Sequence, residues 1–271
     1  MDMLSTRSVL DRLHGVISAE LRPFESGSYL LESPALAEFL FEREVVGIPL
    51  LNAARHATRD WLAALRDREL LRAADECAGL TILTGALYYG LQAAWQQVFS
   101  SLLPENFIGV KRHLDQADRW RADYQYVSFE AECRTVLICD TVASGVSVAQ
   151  GVQAFAQWGR DHGLEQVHFF SACGSVVGGR RILNTCEQLG LRATFTHGLA
   201  AFGLAEKGWQ LPDTDLPWLH PDTVTRPEHL DRARVAFHGK SICAIGDWGM
   251  RCKNPRQYLR EWEEEKAYWD V

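Results

Sequence analysis

Residues 134–151 read RTVLICDTVASGVSVAQG, and this stretch decides the fold class. Its apolar run, residues 136–139, predicts a strand that is buried on both faces, as parallel strands usually are. Asp140 follows at the carboxyl end of that strand, where open α/β sheets bind their ligands. Apolar side chains at helical spacing from Val148 to Trp158 then predict a helix. The stretch therefore predicts a strand, a turn and a helix of an α/β fold.

The turn itself, ASGVS at residues 143–147, consists of small residues and carries two hydroxyl groups. Such a turn directs several backbone N–H groups to one point at the positive end of the helix dipole. Because that arrangement binds anions, we predict a phosphate site here. The alternative interpretation is an ordinary turn in which Ser144 caps the helix.

These residues resemble the phosphoribosyl-diphosphate loop of type I phosphoribosyltransferases. In that loop a hydrophobic strand leads to one or two acids, and Thr-Gly-x-Thr or a serine variant follows. Asp140 matches the second acid, Ser144 and Gly145 match the Thr-Gly pair, and Ser147 matches the closing hydroxyl, whereas Cys139 stands where the first acid is usual. The resemblance implies a ligand-binding set of Cys139, Asp140, Thr141, Val142, Ala143, Ser144, Gly145, Val146 and Ser147.

Two earlier segments resemble the uracil phosphoribosyltransferases. ATRD at residues 57–60 is similar to the end of that family's N-terminal helix, although an ion pair on a solvated helix face is the alternative. A predicted strand at residues 80–83 leads into Thr84-Gly85-Ala86, where the family has Arg-Ala-Gly around the diphosphate. The resemblance implies that Thr84 and Gly85 contact the diphosphate.

A third predicted strand, at residues 107–110, ends in a basic pair, Lys111 and Arg112. A polar segment with aromatic residues follows, which is typical of a β-arm or flap, and the family has a flap at this place. Arg112 matches an arginine that clamps the diphosphate, and Lys111 is its neighbour. The alternative interpretation is an exposed basic pair on a loop.

Two later segments carry the predicted acceptor site. Residues 197–213, HGLAAFGLAEKGWQLPD, resemble a family segment whose backbone binds uracil. Residues 246–251, GDWGMR, resemble the family's Gly-Asp-x-Gly-Asp-Arg, and Asp215 fits a competing register in place of Asp247. The residues implied to bind the acceptor are Gln210, Gly246, Asp247 and Trp248.

The composition limits the kinds of partner. Of 271 residues, 47% are hydrophobic and 23% are charged, and the net charge is −7. This charge argues against a broad surface for nucleic acid or anionic membranes. Because no apolar run approaches the ~18 residues of a membrane span, we predict a cytoplasmic protein without a membrane partner.

The predicted architecture is an open, mostly parallel sheet flanked by helices, of the phosphoribosyltransferase type, with a small hood. Apolar spacing between residues 4 and 21 predicts a helix, so residues 1–32 are predicted as an N-terminal helical extension. Residues 33–212 are the predicted core. Residues 213–271 are predicted to hold an inserted loop, a last strand at Ser241–Ile245 and a charged C-terminal helix.

The resemblance implies transfer of phosphoribose from 5-phosphoribosyl 1-diphosphate to a ring nitrogen of a uracil-like or other heterocyclic base. It implies Asp140 and Arg112 as catalytic residues, Mg²⁺ carried by the substrate's diphosphate instead of a metal-binding set of side chains, and a homodimer. The second hypothesis is a regulatory protein of the same fold that binds a phosphosugar or nucleotide without turnover. Thr84 and Cys139 favour it, because they replace an arginine and an acid.

Overall fold

A computed structural model of the chain describes residues 19–71, 73–83, 85–116, 120–204, 217–236 and 244–269. The strands are β1 (Glu20–Pro23), β2 (Ser28–Glu32), β3 (Cys77–Leu83), β4 (Glu105–Leu114), β5 (Trp120–Ser128), β6 (Thr135–Cys139), β7 (Gln166–Ser171), β8 (Gly174–Ser175), β9 (Arg192–Gly198), β10 (Ala200–Leu204) and β11 (Pro217–Val224). The α-helices are α1 (Pro34–Phe41), α2 (Ile48–Asp67), α3 (Leu91–Phe99), α4 (Val146–Gly159), α5 (Val176–Gln188), α6 (Pro227–Ala236), α7 (Ala244–Lys253) and α8 (Pro255–Trp269). Short 3-10 helices span Ala74–Glu76, Gly85–Tyr89 and Arg160–His162.

Eight strands form the main sheet, in the order β1-β2-β9-β7-β6-β3-β4-β5. The pairings β1 with β2 and β4 with β5 are antiparallel, and the pairings between them are parallel. The chain therefore has the predicted α/β fold with a mostly parallel sheet. The order of the parallel strands reverses between β3 and β6, because β4 lies on one side of this pair and β7 and β9 lie on the other. Open α/β sheets bind ligands at such a switch point, beyond the carboxyl ends of the strands.

Helices cover both faces of the sheet. On one face α1, α2 and α3 pack over Leu137 and Cys139 of β6. On the other face α4 and α5 pack over Val136 and Ile138. The apolar run of β6 is continuous because its successive side chains enter two separate apolar layers. None of the helices within the described ranges has the length and apolar character needed to cross a membrane.

A second sheet of three strands lies beyond the carboxyl ends of β7 and β9. Its order is β11-β10-β8, with β10 and β11 antiparallel and β10 and β8 parallel. Since β8 and β10 follow β7 and β9 closely in the chain, the second sheet extends from the edge that holds the switch point.

The N-terminal region differs from the prediction. Residues 20–32 form an antiparallel hairpin, and β2 continues the main sheet beside β9. The helical extension predicted over residues 1–32 is therefore wrong for this part, and residues 1–18 lie outside the described residues. Leu21 satisfied a helical spacing in the sequence, but its side chain is buried as a strand residue of the hairpin.

The region after residue 212 differs as well. Part of the predicted inserted loop forms β11 and α6. Residues 244 and 245, predicted to end a last strand, belong to helix α7. A short apolar run does not distinguish a strand from a buried helical segment, which explains the error. The predicted C-terminal helix is confirmed as α8.

Helix α8 is docked on the connection between α1 and α2. The guanidinium carbon of Arg43 lies 3.7 Å from the centre of the Trp262 ring, and its Nε donates to the Tyr258 hydroxyl at 2.9 Å. Trp262 Nε1 lies 3.4 Å from Glu44 Oε1. These contacts bury the aromatic face of the C-terminal helix, as its spacing predicts.

Helix α7 is anchored at the same connection by Arg251, which is 2% exposed. Its guanidinium group donates to the carbonyl oxygens of Phe39, Glu42 and Val45 at 2.6 to 3.0 Å. In return, the Gly47 N–H donates to the Arg251 carbonyl oxygen at 2.9 Å. Arg251 therefore provides hydrogen-bond donors for carbonyl groups at the end of α1 and in the connection to α2.

Candidate functional site

Two turns meet at the switch point, one after β3 and one after β6. Gly85 follows β3 and Asp140 follows β6. A Cβ atom on Gly85 would lie 2.3 Å from Asp140 Oδ1, which is closer than real Cβ contacts. Only a glycine lets the first turn approach the carboxyl group this closely. The structure thus brings together Gly85 and Asp140, which were predicted to share a site.

Asp140 is half-buried between these turns. Its Oδ1 accepts a hydrogen bond from the Thr141 N–H at 2.7 Å, and its own N–H donates to the Phe170 carbonyl oxygen at 3.1 Å. Burial raises the pKa of Asp140 to about 7, while the Thr141 N–H and the charge of Arg112 act in the opposite direction. The carboxyl group therefore changes charge near neutral pH.

Arg112 and Lys111 lie on β4, at the base of the predicted arm. β4 and β5 form this arm as an antiparallel pair, in which Lys111 is opposite Asp123. Both basic side chains are exposed. The basic pair is thus on a strand rather than a loop, and Arg112 is close enough to influence the charge of Asp140.

The backbone after Asp140 is held by residues from the end of β7 to the first turn of α5. The Val142 N–H lies 3.2 Å from Ser171 Oγ, and the Val142 carbonyl oxygen accepts from the Ser175 N–H at 2.8 Å. Ser175 Oγ donates to the Ala143 carbonyl oxygen and accepts from the Gly178 N–H at 2.8 Å. The turn is therefore fixed by the neighbouring strand and helix, not by its own sequence alone.

Glycines allow α4 and α5 to start side by side. Gly145 precedes α4 with a φ of 75°, in the left-handed region, and a Cβ atom there would lie 2.7 Å from the Gly178 carbonyl oxygen. A Cβ atom on Gly178 would lie 2.3 Å from the Ala143 carbonyl oxygen. Gly145 is needed for its conformation and for the close contact, and Gly178 for the close contact.

The first turn of α4 presents backbone N–H groups. Gly145 is the residue before the helix and no side chain caps it, so the alternative in which Ser144 caps the helix is not observed. Within the part of the chain that the structure describes, no group accepts from the N–H of Gly145, Val146 or Ser147. These donors lie at the positive end of the helix dipole, which suits an anion.

Several predicted ligand-binding residues can contribute only their backbone. Cys139 packs in the layer formed by α1, α2 and α3, and burial, followed by the charge of Asp140, raises its pKa well above the ordinary value. Val142, Ala143 and Ser144 are also buried. Thr141 and Ser147 are half-buried. Side-chain contact with a ligand is therefore expected from Asp140, Thr141 and Ser147.

Some predicted residues fall outside this description. Thr84 and Gln210 lie outside the described residues. Gly246, Asp247 and Trp248 lie in α7 instead of a turn after a strand. Since their side chains are not described, their part in acceptor binding stays a prediction.

Sequence reasoning missed Tyr89, Thr58 and Arg181. The Tyr89 hydroxyl lies 3.1 Å from Thr141 Oγ1, and Thr58 Oγ1 donates to the Tyr89 carbonyl oxygen at 3.0 Å. Arg181 Nη1 donates to the Ser144 carbonyl oxygen at 2.7 Å. Thr58 belongs to the ATRD segment and had a signal, whereas Tyr89 and Arg181 depend on contacts distant in the sequence.

No family model matches this chain, and no curated protein sequence matches it either.

Proposed function

We propose that the chain binds 5-phosphoribosyl 1-diphosphate at the switch point and transfers its phosphoribosyl group to a heterocyclic base. The observation that carries this proposal is the meeting of two turns around Asp140, beside backbone N–H groups at the start of α4 to which the described residues provide no acceptor. The N–H groups of Gly145, Val146 and Ser147 would bind the 5-phosphate. Asp140 would bind the ribose hydroxyls.

The reaction breaks the bond between C1 of ribose and the diphosphate oxygen and forms a bond from C1 to a ring nitrogen. Diphosphate keeps the electron pair, so positive charge develops on the sugar and negative charge on the leaving group. Ionised Asp140 would stabilise the cation, and Arg112 would stabilise the diphosphate from the base of the arm. Alignment and electrostatics suffice, and no covalent nucleophile is required.

Mg²⁺ fits this proposal as an ion that arrives with the substrate. Mg²⁺ is commonly held by one or two carboxylates together with substrate phosphates. Asp140 offers one carboxylate beside the turn, and no cluster of three or more His, Cys, Asp or Glu able to hold a metal occurs among the described residues. The ion would offset the charge of the departing diphosphate.

Base-dependent release of diphosphate tests the proposed transfer. The protein is mixed with 5-phosphoribosyl 1-diphosphate, Mg²⁺ and a panel of bases that includes uracil. We expect release with at least one base and a loss of about 100-fold in Asp140→Asn, since one transition-state contact is worth that much. Asp67→Asn, an exposed acid at the end of α2, is the control and should behave as wild type. Absence of both release and binding would reject the proposal.

A sensor that binds the phosphosugar without turnover is the second candidate. One observation favours it: Cys139, which stands in the place of a usual acid, is buried in an apolar layer and offers the site no carboxylate. This function would be supported, and the transfer excluded, if calorimetry shows binding of ribose 5-phosphate while no base of the panel causes release of diphosphate.

A further inference from the structure

Tyr89 joins three elements at the edge that carries the candidate site. It ends the 3-10 helix that begins at Gly85, and its side chain is fully buried. Its carbonyl oxygen accepts from Thr58 of α2, and its hydroxyl accepts from the Ala172 N–H at 3.1 Å. The Phe170 ring packs against it edge-on, with the ring centres 5.8 Å apart. The phenol is therefore fixed in position before any ligand binds.

The Tyr89 hydroxyl also lies 3.1 Å from Thr141 Oγ1. Burial raises the pKa of Tyr89 well above its ordinary value, so the phenol keeps its proton at neutral pH and this hydrogen bond persists. The Thr141 N–H in turn donates to Asp140 Oδ1 at 2.7 Å. The 3-10 helix thus contacts Asp140 through Gly85 at one end and Thr141 through Tyr89 at the other.

We propose that Tyr89 is a positioning residue, which orients Asp140 for the ligand through the Thr141 hydroxyl and amide. This inference rests on the proposed function, in which Asp140 is the residue that would face the ribose hydroxyls. A site of this kind depends on neighbouring groups that hold the contacting side chain in one orientation. Tyr89 does this from the protein interior, where it touches no ligand.

Tyr89→Phe removes the hydroxyl and keeps the ring, so the fold is preserved. Tyr258→Phe is a matched control, because Tyr258, in the C-terminal helix α8, is also buried and its hydroxyl also accepts a hydrogen bond, from Arg43. Thr141→Val removes the other partner of the bond, and Thr141→Ser retains a hydroxyl. Comparing the four variants separates positioning from general stability.

The deciding measurement is the titration of the Asp140 carboxyl carbon by NMR in the full chain without ligand. We expect the Asp140 pKa to rise by about one unit in Tyr89→Phe and in Thr141→Val, because a loosened turn weakens the Thr141 N–H bond that favours the ionised form. Thr141→Ser and Tyr258→Phe should match wild type. An unchanged Asp140 titration in Tyr89→Phe, or an equal rise in Tyr258→Phe, would overturn the inference.

Transfer kinetics provide the second readout. The kcat/KM of diphosphate release should fall about tenfold in Tyr89→Phe. In a Thr141→Val background the same change should have a much smaller effect, because the hydrogen bond between the two hydroxyls is already absent there. If wild type neither binds ribose 5-phosphate nor releases diphosphate, the proposed function fails, and the NMR titration still decides the role of Tyr89.

Discussion

The turn after β6 and helix α7 both resemble motifs of one family, yet the fold uses them differently. In the turn, Asp140 lies at the switch point and the backbone is held from outside by Ser171 and Ser175. In α7, Arg251 points into the protein and binds carbonyl oxygens of the connection between α1 and α2. The comparison teaches that a buried strand before a motif determines where its residues lie, whereas a short pattern of glycine, aspartate and arginine is equally compatible with a helix.

The same glycine-to-alanine change should have opposite effects in the two regions. Gly178→Ala places a Cβ atom 2.3 Å from the Ala143 carbonyl oxygen, whereas a Cβ atom on Gly249 in α7 would meet, among the described residues outside its own helix backbone, no atom within 4 Å. We expect Gly178→Ala to lower the free energy of unfolding by about 3 kcal/mol, because backbone cannot move aside easily. Gly249→Ala should raise it by about 0.5 to 1 kcal/mol through helix propensity. Urea unfolding measures both, and equal effects would remove the distinction.

Arg251→Met should be the next largest change. It removes the hydrogen bonds that the buried guanidinium group donates to the carbonyl oxygens of Phe39, Glu42 and Val45, which should cost about 2 to 3 kcal/mol of unfolding free energy. Arg256→Met removes an exposed arginine of α8 and should change stability little. A similar small effect for Arg251→Met would show that the C-terminal region does not depend on this anchor.

The turn should also show a pH dependence that the C-terminal region lacks. The pKa of Asp140 is about 7 in the folded protein, above the ordinary aspartate value of 3.8. The folded state therefore holds a proton that the unfolded state has lost, so this group's contribution to stability falls as pH rises from about 4 to about 7. The unfolding free energy of Asp140→Asn should exceed that of wild type by about 2 kcal/mol at pH 8 and equal it near pH 4. This figure is smaller than the full pKa difference implies, because the carboxyl group is partly exposed to solvent.

The control for this pH dependence is Glu263→Gln, which removes an exposed acid of α8. Its unfolding free energy should follow wild type across the same pH range. If Asp140→Asn also follows wild type, the carboxyl group is more hydrated than its surroundings indicate.

Gly85→Ala should have the smallest effect on stability. Its Cβ atom would meet the end of the Asp140 side chain, which can rotate, instead of backbone. We expect a loss below about 1 kcal/mol, because a flexible side chain relieves the overlap. Binding of ribose 5-phosphate should nevertheless weaken, since Asp140 is displaced. Urea unfolding and calorimetry on the same sample measure the loss of stability and the loss of affinity. Unchanged affinity for ribose 5-phosphate would show that Gly85 has no part in the site.

The sequence was informative where local pattern and fold agree. The run at residues 136–139 predicted β6 because a parallel strand with both faces covered is apolar throughout, and the turn that follows it was marked by small residues, including Gly145 in a left-handed conformation. The contacts of Ser175 and Gly178 with that turn were not predictable, since they depend on how α5 packs against α4. Tyr89 likewise acquires its role only when three elements meet.

The errors have a common physical cause. Leu21 is buried, as its spacing predicted, but burial alone does not fix the backbone conformation. The hairpin at residues 20–32 forms an edge of the sheet because the backbone groups of β9 on that side pair with β2. Tertiary pairing thus decided between helix and strand where the local spacing was compatible with both.

The contact between Gly145 and Gly178 places the positive ends of two helices next to each other. Like partial charges repel, so the fold carries an electrostatic cost at this point. A multiply charged anion bound beside the two helix ends would relieve that repulsion. Binding of the anion would therefore raise the melting temperature of the protein, and both the binding and this stabilisation would decline with added salt.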